Sequence, residues 1–234
     1  MTESIVSPDV LLFVALPYVA VALFVAGTLE RLVKHPESMT SRSSQFLENR
    51  QHFWAMVPFH YGILVVLAGH LVALAMPGAI LGWNASAMRL YALEGTGLAF
   101  GFLAVLGLTA AIVRRASVAT VRVTTTPLDW IVLGALLAQI ASGVAVAIAY
   151  SWGSSWFAAV ASPYLWSLAR LRPDVAAIAA LPLAVKAHVV GAFLLVGIFP
   201  FSRLVHVVNV PTPYLWRRPQ VVRWYRRRPV SLEK

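Results

Sequence analysis

An all-α integral membrane protein with five transmembrane helices is the fold this sequence predicts, and three observations predict it. The chain is 59% hydrophobic with only 12% charged residues, where a soluble domain is about a quarter charged. Five apolar runs, roughly 11–32, 53–76, 90–113, 128–150 and 183–205, reach the about 20 residues that a helix needs to cross a bilayer. With five spans, 15 of the 19 Lys and Arg residues fall on one side. Basic residues concentrate on the cytoplasmic side, which places the N-terminus outside and the C-terminus in the cytoplasm.

The first run starts near Val10 with an acidic flank, Glu3 and Asp9. It is long enough to span and reads as a helix of the protein rather than a cleaved leader. A basic loop follows, with Arg31, Lys34, Arg42 and Arg50. The second run carries His60 and His70; the third opens at Arg89 and closes on Arg114 and Arg115. Asp129 sits in the first turn of the fourth, where a carboxylate suits the helix dipole. Residues 156–181 hold Pro163, Arg170, Arg172, Pro173 and Asp174 and read as a loop with short interfacial helices. Trp152, Trp156, Tyr164 and Trp166 suit the headgroup level there. A sixth span at this point would put the basic tail outside. The fifth run carries His188, and His206 lies at or just beyond its end. The organisation is one membrane domain, 1–208, and a basic cytoplasmic tail, 209–234. The net charge of +10 then reads as topology and as contact with partner subunits or lipid headgroups, not nucleic acid.

The chain has no cysteine. Covalently attached haem, thiolate-bound iron–sulfur clusters and disulfides are all excluded, so any iron–sulfur centre belongs to a partner. Of six histidines, four lie in the second and fifth apolar stretches, where ionisable groups are costly and mark functional sites. His35 and His52 lie in or beside the first loop and read as solvated or interfacial. Helices two and five run antiparallel, so topology pairs His70 with His188 toward the outside and His60 with His206 toward the cytoplasm. Two metal centres between the helices are one reading, because imidazole is an axial ligand for haem iron. Hydrogen bonding between helices is the other.

Spacing tests the pairing. His188 and His206 are 18 residues apart, about five turns and about 27 Å, on one face; His60 and His70 are 10 apart, about 15 Å and about 80° around the helix. Tilt, a kink at Pro200, or a helix that ends before His206 must absorb the mismatch. Gly62 and Gly69 flank the first pair and Gly191 and Gly197 follow His188. Such small residues admit either a flat macrocycle or a neighbouring helix.

Three segments carry a family resemblance. They are Phe59-His60-Tyr61-Gly62-Ile63-Leu64 with Gly69-His70, then Arg122-Val123-Thr124-Thr125-Thr126, and Phe199-Pro200-Phe201-Ser202-Arg203-Leu204-Val205-His206 followed by Pro211, Tyr214-Leu215 and Gln220. The chain resembles, over about residues 10–228, the gamma subunit of respiratory nitrate reductase, a membrane cytochrome b of the bacterial cytoplasmic membrane. The resemblance implies two non-covalent b haems, His60 and His206 holding the inner and His70 and His188 the outer. It implies that quinol is oxidised at the outer haem. Electrons then pass inward to an iron–sulfur beta subunit and a molybdenum-containing alpha subunit that reduces nitrate. A basic residue at the start of the family's third helix is associated with the quinol site; Arg89 holds that position here, with Gly69 and Lys186 beside the outer ligands. Lys186 reads equally as snorkelling to the interface. Arg115 and Arg203 are candidate partners of the inner haem's propionates, with terminal snorkelling as the alternative. Glu94 is an interfacial acid or a proton acceptor. A related two-haem, quinone-interacting subunit of a sulfur-metabolism complex is the alternative function. A transporter or metal-binding membrane protein without haem is a third reading.

Overall fold

The structure is a computed structural model, described at residues 7–40, 43, 44, 47, 48 and 50–208. The tail 209–234, with Pro211, Tyr214, Leu215 and Gln220, lies outside the described residues. Among the described residues five helices are long and apolar enough to cross a membrane: helix one Pro8–Lys34, helix two Arg50–Ala75, helix three Ala87–Ser117, helix four Pro127–Ala149 and helix five Leu183–Phe201. The expected count holds, and the bounds of the first four lie within three to four residues of those read from hydropathy. The ends have local causes. Glu48 accepts the backbone N–H groups of Gln51 and His52 at the start of helix two. Pro77 follows the last turn of helix two, where it cannot continue the hydrogen-bond ladder. Thr126 and Asp129 form a reciprocal capping box at the start of helix four. Asp129 therefore has the terminal role its position suggested.

Helix two packs on three, three on four, four on five, and five on one. Helices two and five, which carry His60, His70 and His188 and lead to His206, have no comparable backbone contact with each other. The arc leaves a seam between them. Glycine makes the tightest approach. A Cβ on Gly62 would lie 2.5 Å from the Ala104 nitrogen and 2.6 Å from the Phe100 oxygen, and one on Gly107 would lie 2.8 Å from the Ala55 oxygen. Leu64, Leu71 and Leu106 are exposed on the flanks, as lipid-facing side chains are.

The stretch 156–181 is more ordered than a loop. Gly153–Trp156, a π-helical stretch Phe157–Ala161 and Ser162–Ala169 run as one bent helix. It lies at the end of the bundle where helix two ends and helix three begins. Tyr164 is 1% exposed and centres a cluster with Phe13, Leu168 and Ile178; it is a core residue and not one at the headgroup level. Two prolines explain the docking. Pro17 and Pro77 lack the N–H that would bond the carbonyl four residues earlier. The Tyr164 hydroxyl donates to the Phe13 oxygen at 2.9 Å, and the Ser162 hydroxyl donates to the Ala73 oxygen at 3.0 Å. Hydropathy alone missed this because the two acceptors belong to other helices.

Helix five ends earlier than its apolar run. Its α-helical part stops at Ile198; a 3-10 turn Phe199–Phe201 follows, the chain is extended at Ser202 (φ −107°, ψ 178°), and a second 3-10 turn covers Arg203–Val207. His206 therefore lies beyond the helix, and the five-turn spacing of a continuous helix does not apply. Arg31 of helix one holds the break, donating to the Pro200 oxygen at 2.7 Å and the Ser202 oxygen at 3.0 Å.

Candidate cofactor site: two histidine pairs

The inner pair is direct. The rings of His60 and His206 meet edge-on, with centroids 6.5 Å apart and planes at 66°. Two imidazoles bound to one metal at about 2.0 Å each, with about 1.1 Å from nitrogen to ring centre, would place their centroids about 6.2 Å apart. The observed separation fits one metal between the rings. Each ring has its Nδ1 at a backbone oxygen, His60 at Met56 (2.7 Å) and His206 at Arg203 (2.6 Å). A carbonyl only accepts, so Nδ1 carries the proton and Nε2 keeps its lone pair for a metal.

Charge is arranged around this pair. Arg203 makes a two-pronged ion pair with Asp129, Nε to Oδ1 at 2.6 Å and a second nitrogen to Oδ2 at 2.6 Å, and also donates to the Thr124 oxygen. Arg115 donates to the Thr125 hydroxyl at 3.1 Å and lies close enough to feel both Arg203 and Asp129. Arg203 thus pairs with Asp129, and Arg115 adds a second guanidinium in the same neighbourhood. Arg114, which spacing did not single out, is 4% exposed and ties helix three to the first loop through Glu48 and Ser44.

The outer pair is assembled differently. His70 donates Nδ1–H to the Val66 oxygen at 2.8 Å and packs edge-on against Phe157 at 5.1 Å. His188 lies in the same neighbourhood as His70. Its Nδ1 lies 2.9 Å from the Ser142 hydroxyl and 3.2 Å from the Gln139 amide nitrogen, both from helix four. A Cβ at Gly143 would come within 2.9 Å of the His188 ring. Gln139 and Ser142 were missed in the sequence. The available signal was an amide in the middle of an apolar span, where polar side chains mark contacts between helices.

Other predicted residues sort unequally. Gly62 serves helix packing, whereas a Cβ on Gly69 would meet nothing within 4 Å, leaving open space beside His70. Arg89 is exposed at the outer corner, its guanidinium 5.4 Å from the Trp83 ring centre and bonded to the Gly82 oxygen. Lys186 turns to Asp9 (3.8 Å) and the Ala179 oxygen (3.1 Å). Neither basic residue contacts the outer histidines. Glu94 accepts the backbone N–H and hydroxyl of Ser154, anchoring the outer helical segment as an interfacial acid does. His35 is exposed; His52 is half-buried with an enclosed Nδ1 that has no hydrogen-bond partner, so it is less solvated than its place near the loop suggested. Among the described residues no group of three or more His, Cys, Asp or Glu could hold a metal ion by itself. Two-residue sites suit a metal whose remaining ligands come from a macrocycle.

Fold and site together define an apolar five-helix protein that presents two histidine pairs from two antiparallel helices. The chain belongs to the nitrate reductase gamma subunit family, whose profile matches residues 9–225. It is 30% identical to the nitrate reductase gamma chain of Bacillus subtilis, over 89% of this chain and 95% of that one. It is also 30% identical to the respiratory nitrate reductase 1 gamma chain of Escherichia coli, over 88% and 93%. The nitrate reductase-like protein NarX of Mycobacterium tuberculosis is 32% identical over 88% of this chain, which spans 32% of that longer protein. The chain is accordingly a membrane subunit of a nitrate reductase complex, and so part of an oxidoreductase with other subunits.

Proposed function

We propose that this chain is the quinol-oxidising cytochrome b subunit of a respiratory nitrate reductase in a bacterial cytoplasmic membrane. It carries two non-covalent b haems, one on His60 and His206 toward the cytoplasm and one on His70 and His188 toward the outside. The observation that carries this reading is the inner pair, whose ring centroids are separated by about the distance one shared metal would need and whose Nδ1 protons are committed to backbone oxygens. Bound haem supplies one-electron carriage from quinol toward the partner's iron–sulfur clusters, with nitrate reduced on the molybdenum subunit. The chain's own residues set the conditions. The histidine Nδ1 bonds fix the tautomer. Arg115 and Arg203 place two guanidinium groups at this end of the bundle, a chemistry that suits propionates. The open face at Gly69 admits a flat quinol ring beside His70, and Arg89 and Lys186 keep the outer rim cationic. The concentration of basic residues on the opposite end favours that end as cytoplasmic, where the tail 209–234 meets the iron–sulfur beta and molybdenum alpha subunits.

Quantified haem extraction from the assembled complex tests the reading, with two b haems per gamma chain expected and zero overturning it. Pairing is tested by spectra of four alanine variants. His60→Ala and His206→Ala should remove one and the same haem signal, and His70→Ala and His188→Ala the other. Any other grouping rejects the assignment.

A further inference from the structure

We propose that Gln139 and Ser142 of helix four are positioning residues for the outer centre, setting the orientation and tautomer of His188 and through them the electronic character of that centre alone. This inference rests on the two-haem reading. His60, His70 and His206 each place Nδ1 at an oxygen of their own backbone, 2.6–2.8 Å away and three or four residues earlier. That partner is fixed by the local backbone and is indifferent to neighbouring side chains. His188 is held instead from another helix. The Ser142 hydroxyl gives its proton to the Gln139 oxygen at 2.8 Å, which leaves an oxygen lone pair for the Nδ1–H of His188 at 2.9 Å. The Gln139 amide lies 3.2 Å and 3.4 Å from the two ring nitrogens and donates to the His188 backbone oxygen at 3.0 Å. Two glycines clear the space. A Cβ at Gly143 would press on the His188 ring, and one at Gly191 would strike the Gln139 side-chain oxygen. Ring, amide and hydroxyl therefore share a slot cut into helices four and five.

A polar contact that only joined two helices would contribute modestly to stability and change nothing else. A hydrogen bond to the distal nitrogen of a metal-binding imidazole does more, because it raises the basicity of the ligand. Ser142→Ala removes the acceptor, makes His188 a weaker donor, and destabilises the oxidised iron. The outer haem's midpoint potential rises while the inner stays fixed.

The test uses the complete complex in detergent, with potentiometric titration and low-temperature EPR of both haems. Ser142→Ala is expected to raise the potential of the outer haem and shift its low-spin g values. Gly143→Ala, which leaves both hydrogen-bonding side chains in place, must turn the ring and shift the same g values. Gln139→Leu is expected to weaken retention of the outer haem on the order of tenfold. Unchanged outer spectra in all three variants, or equal changes in both haems, overturn the proposal. Wild-type complex lacking two b haems would overturn the underlying functional reading instead, so the two failures are distinguishable.

Discussion

Arg31→Leu is the substitution that best tests how the fold reaches the inner site. Arg31 belongs to helix one and touches no histidine, yet it donates to the Pro200 and Ser202 oxygens at 2.7 and 3.0 Å and to the Ser38 hydroxyl at 3.0 Å. Pro200 and Ser202 are both buried, so water does not readily replace the guanidinium. Leucine keeps the apolar stem of the side chain and removes every donor. Each buried carbonyl left without a donor costs about 1–3 kcal/mol, and the lost bonds are charge-assisted, so about 3 kcal/mol is a reasonable total. The loss falls on the break and the following turn, which carry His206, and not on the packed body of helix five. Converted at about 1.4 kcal/mol per tenfold, the inner haem should be held roughly hundredfold less tightly. Haem per chain, followed through graded detergent washing of the assembled complex, should fall from two toward one with the outer signal retained. Arg31→Lys should lie between, since an ammonium keeps the charge but not the planar fork. An Arg31→Leu complex that keeps both haems, or sheds the outer one first, would show that the clamp does not position His206.

Gly62→Ala should lower the stability of the bundle by about 1–3 kcal/mol, since its Cβ meets helix-three backbone that has no side chain to swing away; thermal unfolding in detergent reads this. Gly69→Ala, with nothing within 4 Å of the added methyl, should leave unfolding unchanged or slightly raised, since alanine is the better helix former, and should raise KM for quinol, checked in the same preparation. Acid should loosen the first loop through Glu48. Its carboxyl is held below the ordinary value of 4.5, chiefly by the hydrogen bond from Arg114, with burial opposing and the backbone N–H groups of Gln51 and His52 assisting. A lowered folded value means that its contribution is complete above about pH 4.5 and is lost as pH falls through that lowered value. The melting temperature of wild-type protein should therefore drop below pH 4.5, and Glu48→Gln should flatten that part of the profile.

What was legible in the sequence followed from patterns local to one helix. Twenty-residue apolar runs gave five spans because length and transfer free energy decide them residue by residue. Chain direction alone assigned His60 to His206, and the structure places those two rings 6.5 Å apart. The illegible parts all depended on a second element. Tyr164 looked like a headgroup tyrosine because nothing near it in the chain shows that Pro17 leaves the Phe13 oxygen free. The ion pair of Arg203 with Asp129 was likewise invisible, because the two residues lie 74 positions apart on different elements. The mismatch between spacings of 10 and 18 residues came from treating an apolar run as one helix; Pro200 and Ser202 end it first.

The glycines beside the histidines show how the seam is kept. They were open to two readings, room for a macrocycle or room for another helix, and for Gly62 the second holds. It lies two residues from His60, about 200° around the helix, so drawing that face onto Ala104 turns His60 away from helix three. On the other side, Gly143 lets the His188 ring settle on helix four, and Gly191 makes room for Gln139 between helices four and five. Helix two is thus pulled onto three and helix five onto four. The space between two and five is a consequence of where those close approaches fall. A bulky residue at Gly62 would act on the histidine pairs by letting helix two relax toward five. The first measurable sign would be a changed inner-haem spectrum, appearing before any loss of the helical fold.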